Sequence, residues 1–162
     1  MIKDLVERVR RNHGLEHATI AVMLSQQGPM RVIGRSGPDG FHVYANVDTE
    51  KLREYSAEAL RRLQGGEAHL AVSPLCGTNL VVAGLLAGFG SYFAASSGRR
   101  GLDQLATSTL AALVGVIAAQ PLGRLAQKHA TTSPDLGGVR IVEVRRLGGR
   151  NVHKVLTASG PQ

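Results

Sequence analysis

Apolar positions in the first part of the chain recur at helical spacing. Ile2, Val6, Val9, Ile20 and Leu24 fall on one stripe, and His13, Glu16 and His17 occupy its middle. Three- and four-residue intervals of this kind predict a helix over residues 2–27 with a buried face, and Gly28-Pro29 stops it. The period then changes. MRVIGRSGPDGFHVYANV reads as a β-hairpin, with strands at residues 31–36 and 41–47 around a GPDG turn. Asp48 or Thr49 caps a second helix, with Glu50 well placed in its first turn. Its stripe is Leu52, Tyr55, Ala59 and Leu63, and Gly65-Gly66 ends it. Residues 69–72 read as a short strand, giving the order α-β-β-α-β.

Next the polar positions vanish. Residues 68–98 hold no Asp, Glu, Lys or Arg. The run at residues 78–97 spans roughly the 30 Å of a bilayer core at ~1.5 Å per residue. A polar break, GRRGLDQ, separates it from a second uncharged run at residues 105–122. Two such runs in so short a chain leave too little protein to bury both all round. They predict a transmembrane hairpin whose seam is lined by Gly84, Ala87, Gly88, Ala111, Ala112 and Gly115. After Pro121 the chain turns polar again. VRIVEVRRL and VHKVLT, joined by GGRN, predict a second hairpin. The expected fold class is α+β: a small mixed domain in two parts (residues 1–77 and 123–162), with a two-helix membrane hairpin (residues 78–122) inserted between them. The C-terminal hairpin would complete the sheet.

Composition agrees with helices packed in lipid. Hydrophobic residues make up 43% of the chain, yet aromatics are only 4%, Trp is absent and Gly numbers 20. The start, MIKDLVERVRRNHG, lacks an apolar h-region, so no secretory signal peptide is expected. Of the net charge of +7, most follows the second apolar run, where seven basic residues face two acidic ones. The positive-inside rule then puts the termini and the sheet on the cytoplasmic side of a bacterial inner (plasma) membrane. Arg99 and Arg100 in the short loop argue weakly the other way. Without interleaved aromatics or a binding motif, nucleic acid is not the expected partner. Anionic lipid headgroups of the bilayer are.

The chemistry sits in HGLEH. On a helix His13 and His17 lie one turn apart on one face, with Glu16 beside them. Burying two imidazoles and a carboxylate costs several kcal/mol unless each finds a partner. A metal ion offsets that cost, and imidazoles at i, i+4 converge on one cation as in zinc sites. Hydrogen bonds from the histidines to backbone or to Glu16 would offset it too. Cys76, the sole cysteine, is the best third ligand. It lies in SPLCGTNL, where the first membrane segment begins, although a lone cysteine is as readily a small buried hydrophobe. His69 is the reserve ligand, and Glu54 and Glu58 fall away from the apolar face of the second helix. His42 is expected to be exposed or a minor contributor, and His129 and His153 to lie on the surface. A Cys-His-His set with an open position is a catalytic arrangement for Zn2+.

HGLEH resembles the H-x-x-E-H motif of inverzincins, the pitrilysin-type metallopeptidases. The match covers five residues, and those enzymes are far larger. The resemblance implies that His13 and His17 are zinc ligands and Glu16 the general base. Peptide deformylase is similar in pairing a Cys-His-His set with a glutamate, although its helix motif runs the other way. The stretches RNHGLEHATIAVM, GRSGPDGFHVYANV, EALRRLQGGEAHLAV and CGTNL also resemble a family of uncharacterised bacterial membrane proteins defined by a domain of unknown function. That resemblance implies no activity and supports pairing HGLEH with CGTN. The expectation is a membrane-associated zinc hydrolase, a peptidase or amidase acting on a peptide or membrane protein. Asn79 or Thr78 would hydrogen-bond the oxyanion. The alternative is a non-catalytic membrane anchor or assembly protein with a structural metal site or none.

Overall fold

The structure, a computed structural model, describes residues 2–98, 100–148 and 151–160. Arg99 of the polar break, and Gly149 and Arg150 of the GGRN turn, lie outside the described residues. The order is α1 (Ile2–Gln27), β1 (Val32–Gly37), β2 (Gly40–Ala45), α2 (Thr49–Gln64), α3 (Gly77–Ala95), α4 (Leu102–Ala126), β3 (Val139–Arg146) and β4 (Val152–Ser159). The chain divides into two units. One joins Met1–Ser73 to Lys128–Gln162; the other is Pro74–Gln127.

In the first unit the four strands form one antiparallel sheet in the order β1-β2-β4-β3. The returning segment therefore completes the sheet begun before residue 74, as expected. The β1–β2 turn falls at Pro38-Asp39, and Gly40 follows it at φ 135°, a conformation that favours glycine. In β3 the neighbours Ile141 and Val142 break the alternation because a bulge lies between Ile141 and Glu143, leaving Val142 exposed. α1 packs on β1 and β2, α2 on β3, and the two helices on each other. The core between them is Leu15, Met23, Phe41, Leu52, Val43 and Val155. Asp48 caps α2 by accepting from the Glu50 and Lys51 N–H groups, and Leu52, Tyr55, Ala59 and Leu63 are all buried, as the stripe predicts.

Two expectations for this unit fail. Residues 69–72 are not a strand. Ala68–Ala71 is a 3-10 turn, closed by Leu70 N–H to the Glu67 carbonyl and followed by Val72 N–H to that of His69. It packs on α1 instead of pairing with a strand. The α1 stripe is also displaced. Ile2 and Val6 are exposed, whereas every residue from Gly14 to Thr19 is buried. The sheet covers the middle of α1 on one side. The 3-10 turn and residues 131–133 cover it elsewhere, so burial there goes all round.

In the second unit α3 and α4 run antiparallel. Ser91 Oγ donates to the Ser108 carbonyl, and Gln104 Nε2 to that of Ala95. Both helices are long and apolar enough to cross a membrane. α4 does not end near Leu122: it continues through Pro121 to Ala126 and a π-helical turn, Gln127–Thr131. Proline removes one backbone donor, and long apolar helices tolerate that loss. The seam is lined only in part as predicted: Ala87, Ala111 and Gly115 lie on it, and Gly90 joins them. A Cβ on Gly115 would lie 2.7 Å from the Leu86 carbonyl, and one on Gly90 3.0 Å from that of Ala111. Gly84 and Gly88 meet nothing within 4 Å and face away from α4.

Candidate metal centre

The two histidines of HGLEH are each oriented by a main-chain carbonyl. His17 Nδ1 lies 2.9 Å from the Ala71 carbonyl, at the end of the 3-10 turn. His13 Nδ1 lies 2.9 Å from the Thr131 carbonyl, where the chain re-enters the first unit. A carbonyl only accepts, so Nδ1 carries the hydrogen in both rings. In a neutral imidazole the lone pair is then on Nε2. The ring centroids are 4.4 Å apart at an interplanar angle of 59°. Two Nε2-basic rings, one helical turn apart and fixed by backbone acceptors, are an arrangement suited to one cation.

Gly14, between them, explains how the anchors come so close. A Cβ there would run into the Ser133 carbonyl and lie 3.2 Å from Ala71 Cβ. The returning segment is further fastened to α1 by Ser133 N–H to the Arg10 carbonyl at 3.0 Å. The Arg10 guanidinium donates to the Thr132 carbonyl at 3.0 Å.

Glu16 is buried and reaches β1. The Ser36 hydroxyl donates to Glu16 Oε2, and the carboxylate fills the space that a side chain on Gly34 would take. Gly34 and Ser36 are small residues two apart on a strand, hence on one face. They make the recess that admits a buried carboxylate. One turn before Glu16, the buried Asn12 ties α1 to the far end of the same strand. Its Nδ2 donates to the Gly37 carbonyl at 2.8 Å, and its Oδ1 accepts from Thr157 Oγ1 at 2.7 Å.

In the second unit Cys76 is the N-cap of α3. Its sulfur accepts from the Thr78 N–H at 3.4 Å. Asn79 joins the two helix ends of this unit: Nδ2 donates to the Pro74 carbonyl at 2.9 Å, and Oδ1 accepts from Gln127 Nε2 at 2.7 Å. Gly123 has no room for a side chain because the Asn79 carboxamide occupies it.

The remaining candidates lie apart from the histidine pair. Glu54 and Glu58 form ion pairs with Lys51 and Arg61 along α2. His69 and His129 are exposed. His42 is half-buried, and its pKa is lowered first by burial and then by the Lys154 ammonium. His153, expected at the surface among basic residues, is fully buried. Strand alternation puts it on the same face as Val155, and that decides its burial whatever its neighbours in sequence. Sequence reasoning missed Ser36 and Gly34, whose signal was two small residues at period two. It also missed the Ala71 and Thr131 carbonyls, which as backbone groups leave no signal in side-chain types.

No solved structure matches this chain. An uncharacterised protein of the bacterium Picosynechococcus sp. is 35% identical over 135 residues, covering 77% of this chain and 66%, just under two thirds, of its own length. A family model described as a domain of unknown function, DUF6391, matches residues 8–144, taking in most of α1, the 3-10 turn, both apolar helices and most of β3. The chain belongs to the DUF6391 family.

Proposed function

We propose that the chain is a membrane-embedded, zinc-dependent hydrolase of the H-x-x-E-H type, cleaving a peptide or amide bond. The observation that carries this reading is the pair of imidazoles in α1, each with Nδ1 committed to a backbone carbonyl and its lone pair on Nε2. Metal-binding histidines are typically oriented in this way, their second nitrogen donating to a carbonyl or carboxylate. His13 and His17 would be ligands and Cys76 the third. Cys76 follows Ala71, the anchor of His17, by only five residues, and it is the N-cap of α3. A zinc ion held there would supply Lewis acidity toward a carbonyl and toward the attacking water. Glu16 would take the proton from that water and return it to the leaving amine. Asn79, engaged at both ends of its carboxamide, is assigned to holding the helix ends and not to oxyanion binding.

α3 and α4 form the membrane hairpin in this reading. Leu80, Val81, Phe89, Phe93, Leu113 and Ile117 are exposed, as lipid-facing residues would be. The basic residues after α4 favour a bacterial plasma membrane with the sheet on the cytoplasmic side, against anionic headgroups.

A second reading has its own support. The Ser36 hydroxyl already satisfies part of the Glu16 carboxylate, and a purely structural site, in an anchor or assembly protein, would use Glu16 in that way. One experiment separates the two. Metal is measured in the detergent-purified protein for wild type, His13→Ala and Glu16→Gln. Stoichiometric zinc in the wild type and its loss in His13→Ala are expected. Glu16→Gln should retain zinc and lose ~10²–10⁴-fold in turnover, assayed on a peptide library. Loss of zinc in Glu16→Gln would favour the structural site. Absence of metal from the wild type would remove the hydrolase and the structural metal site, leaving an anchor or assembly protein without metal.

A further inference from the structure

His153 is a different kind of histidine from those in α1. It is fully buried, and among the described residues neither ring nitrogen has a hydrogen-bond partner. Buried polar groups are nearly always paired, so an orphan ring calls for a reason. It sits near the start of β4, a central strand of the sheet, in register with Val43 of β2 and Arg146 of β3. Val43 and Val155, on the same face, are core residues.

Among the described residues, few charged groups face it. From β2 the partner in register is Val43; His42 lies on the opposite face of the strand, as does Lys154, which pairs with Asp39. From β3 the Arg146 guanidinium opposes a second positive charge. Asp48, at the head of α2, favours one. Arg53 of α2 donates to the Val144 carbonyl on β3. Burial, the largest effect, and Arg146 after it hold the ring below its ordinary pKa of 6.5, against the pull of Asp48. The folded protein therefore keeps this imidazole neutral where an opened one would protonate it.

We infer that His153 is an acid-sensitive latch, whose protonation releases α2 from the sheet. The neutral ring packs as a core side chain. The imidazolium, lacking an acceptor, does not. Above pH ~6.5 neither the folded nor the opened state holds the proton. As pH falls below that value the opened state takes it up and the folded state does not, so opening grows more favourable until the lowered folded pKa is reached.

Hydrogen exchange on the full-length protein in detergent tests this. Protection factors of the α2 amides are compared between pH 7.5 and 5.5 for wild type, His153→Gln and His153→Leu. Wild type should lose up to about tenfold in protection at α2, and both variants should lose much less. Every other side chain is common to the three proteins, so the difference isolates His153. If His153→Leu does not fold, His153→Gln suffices, since it keeps polarity without titrating in this range. An equal loss in wild type and variants, or none in wild type, overturns the proposal.

Discussion

Gly14 shows why single atoms decide the character of the α1 site. Glycine inside a helix costs ~1 kcal/mol relative to alanine, so on propensity alone Gly14→Ala should stabilise α1. The Ser133 carbonyl and Ala71 Cβ occupy the place where the new methyl would go. Both belong to backbone segments that also hold the histidines, through Ala71 itself and through Thr131 two residues before Ser133. Overpacking of this kind typically costs ~1–3 kcal/mol, which outweighs the propensity gain. Gly14→Ala should lower the thermal unfolding midpoint in detergent and, for the zinc site proposed above, weaken metal retention, because pushing away the carbonyls releases Nδ1 of both rings. A variant of unchanged or raised midpoint with full zinc would show that the segments yield freely. His153 carries the converse lesson about reading residues. The basic residues around it in sequence suggested a surface position. The alternation that pairs it with Val155 was the better guide.

Elements with a clean period were legible. The bounds of α1, the first hairpin and α2 match their patterns within a residue or two, since turn residues mark their ends; the predicted buried stripe holds in α2 but not in α1. The 3-10 turn was not, because four residues are too few to tell a strand from a tight turn, and a tertiary contact with α1 decides between them. The seam of α3 and α4 was half legible. Small residues mark where two helices can meet, but every face of an apolar helix looks alike to a periodicity argument. The structure selects Gly115 and Gly90 over Gly84 and Gly88. Gly115→Leu should therefore force the helices apart, since a side chain would meet the backbone of Leu86 and Ala87 at 2.7–2.8 Å. Gly84→Ala meets nothing and should be neutral, or stabilising by up to ~1 kcal/mol. Thermal stability in a mild detergent checks both. Equal effects from the two substitutions would mean that the seam lies elsewhere.

At the scale of the whole molecule the decisive question is which solvent the second unit sees. α3 has 19 residues and α4 has 25, about 28 and 37 Å of helix at ~1.5 Å per residue, against a bilayer core of ~30 Å. Both keep large apolar side chains exposed on the faces they turn away from each other: Leu85, Phe89 and Phe93 on one, Leu110, Val114 and Ile117 on the other. A helix that is apolar all round and packs along only one seam is stable in hydrocarbon and a liability in water. Placing the hairpin in a membrane removes that liability, and it forces the segments before residue 74 and after residue 127 onto one side, where they share a sheet. The basic residues after α4 then favour the cytoplasmic side. Alkaline carbonate should leave the protein in the membrane pellet. A tag after residue 162 should resist added protease in intact spheroplasts and be cleaved once they are lysed. Recovery in the carbonate supernatant would remove the membrane hairpin. Cleavage of the tag in intact spheroplasts would keep the hairpin and reverse its orientation, leaving the sheet and the histidine pair outside the cell.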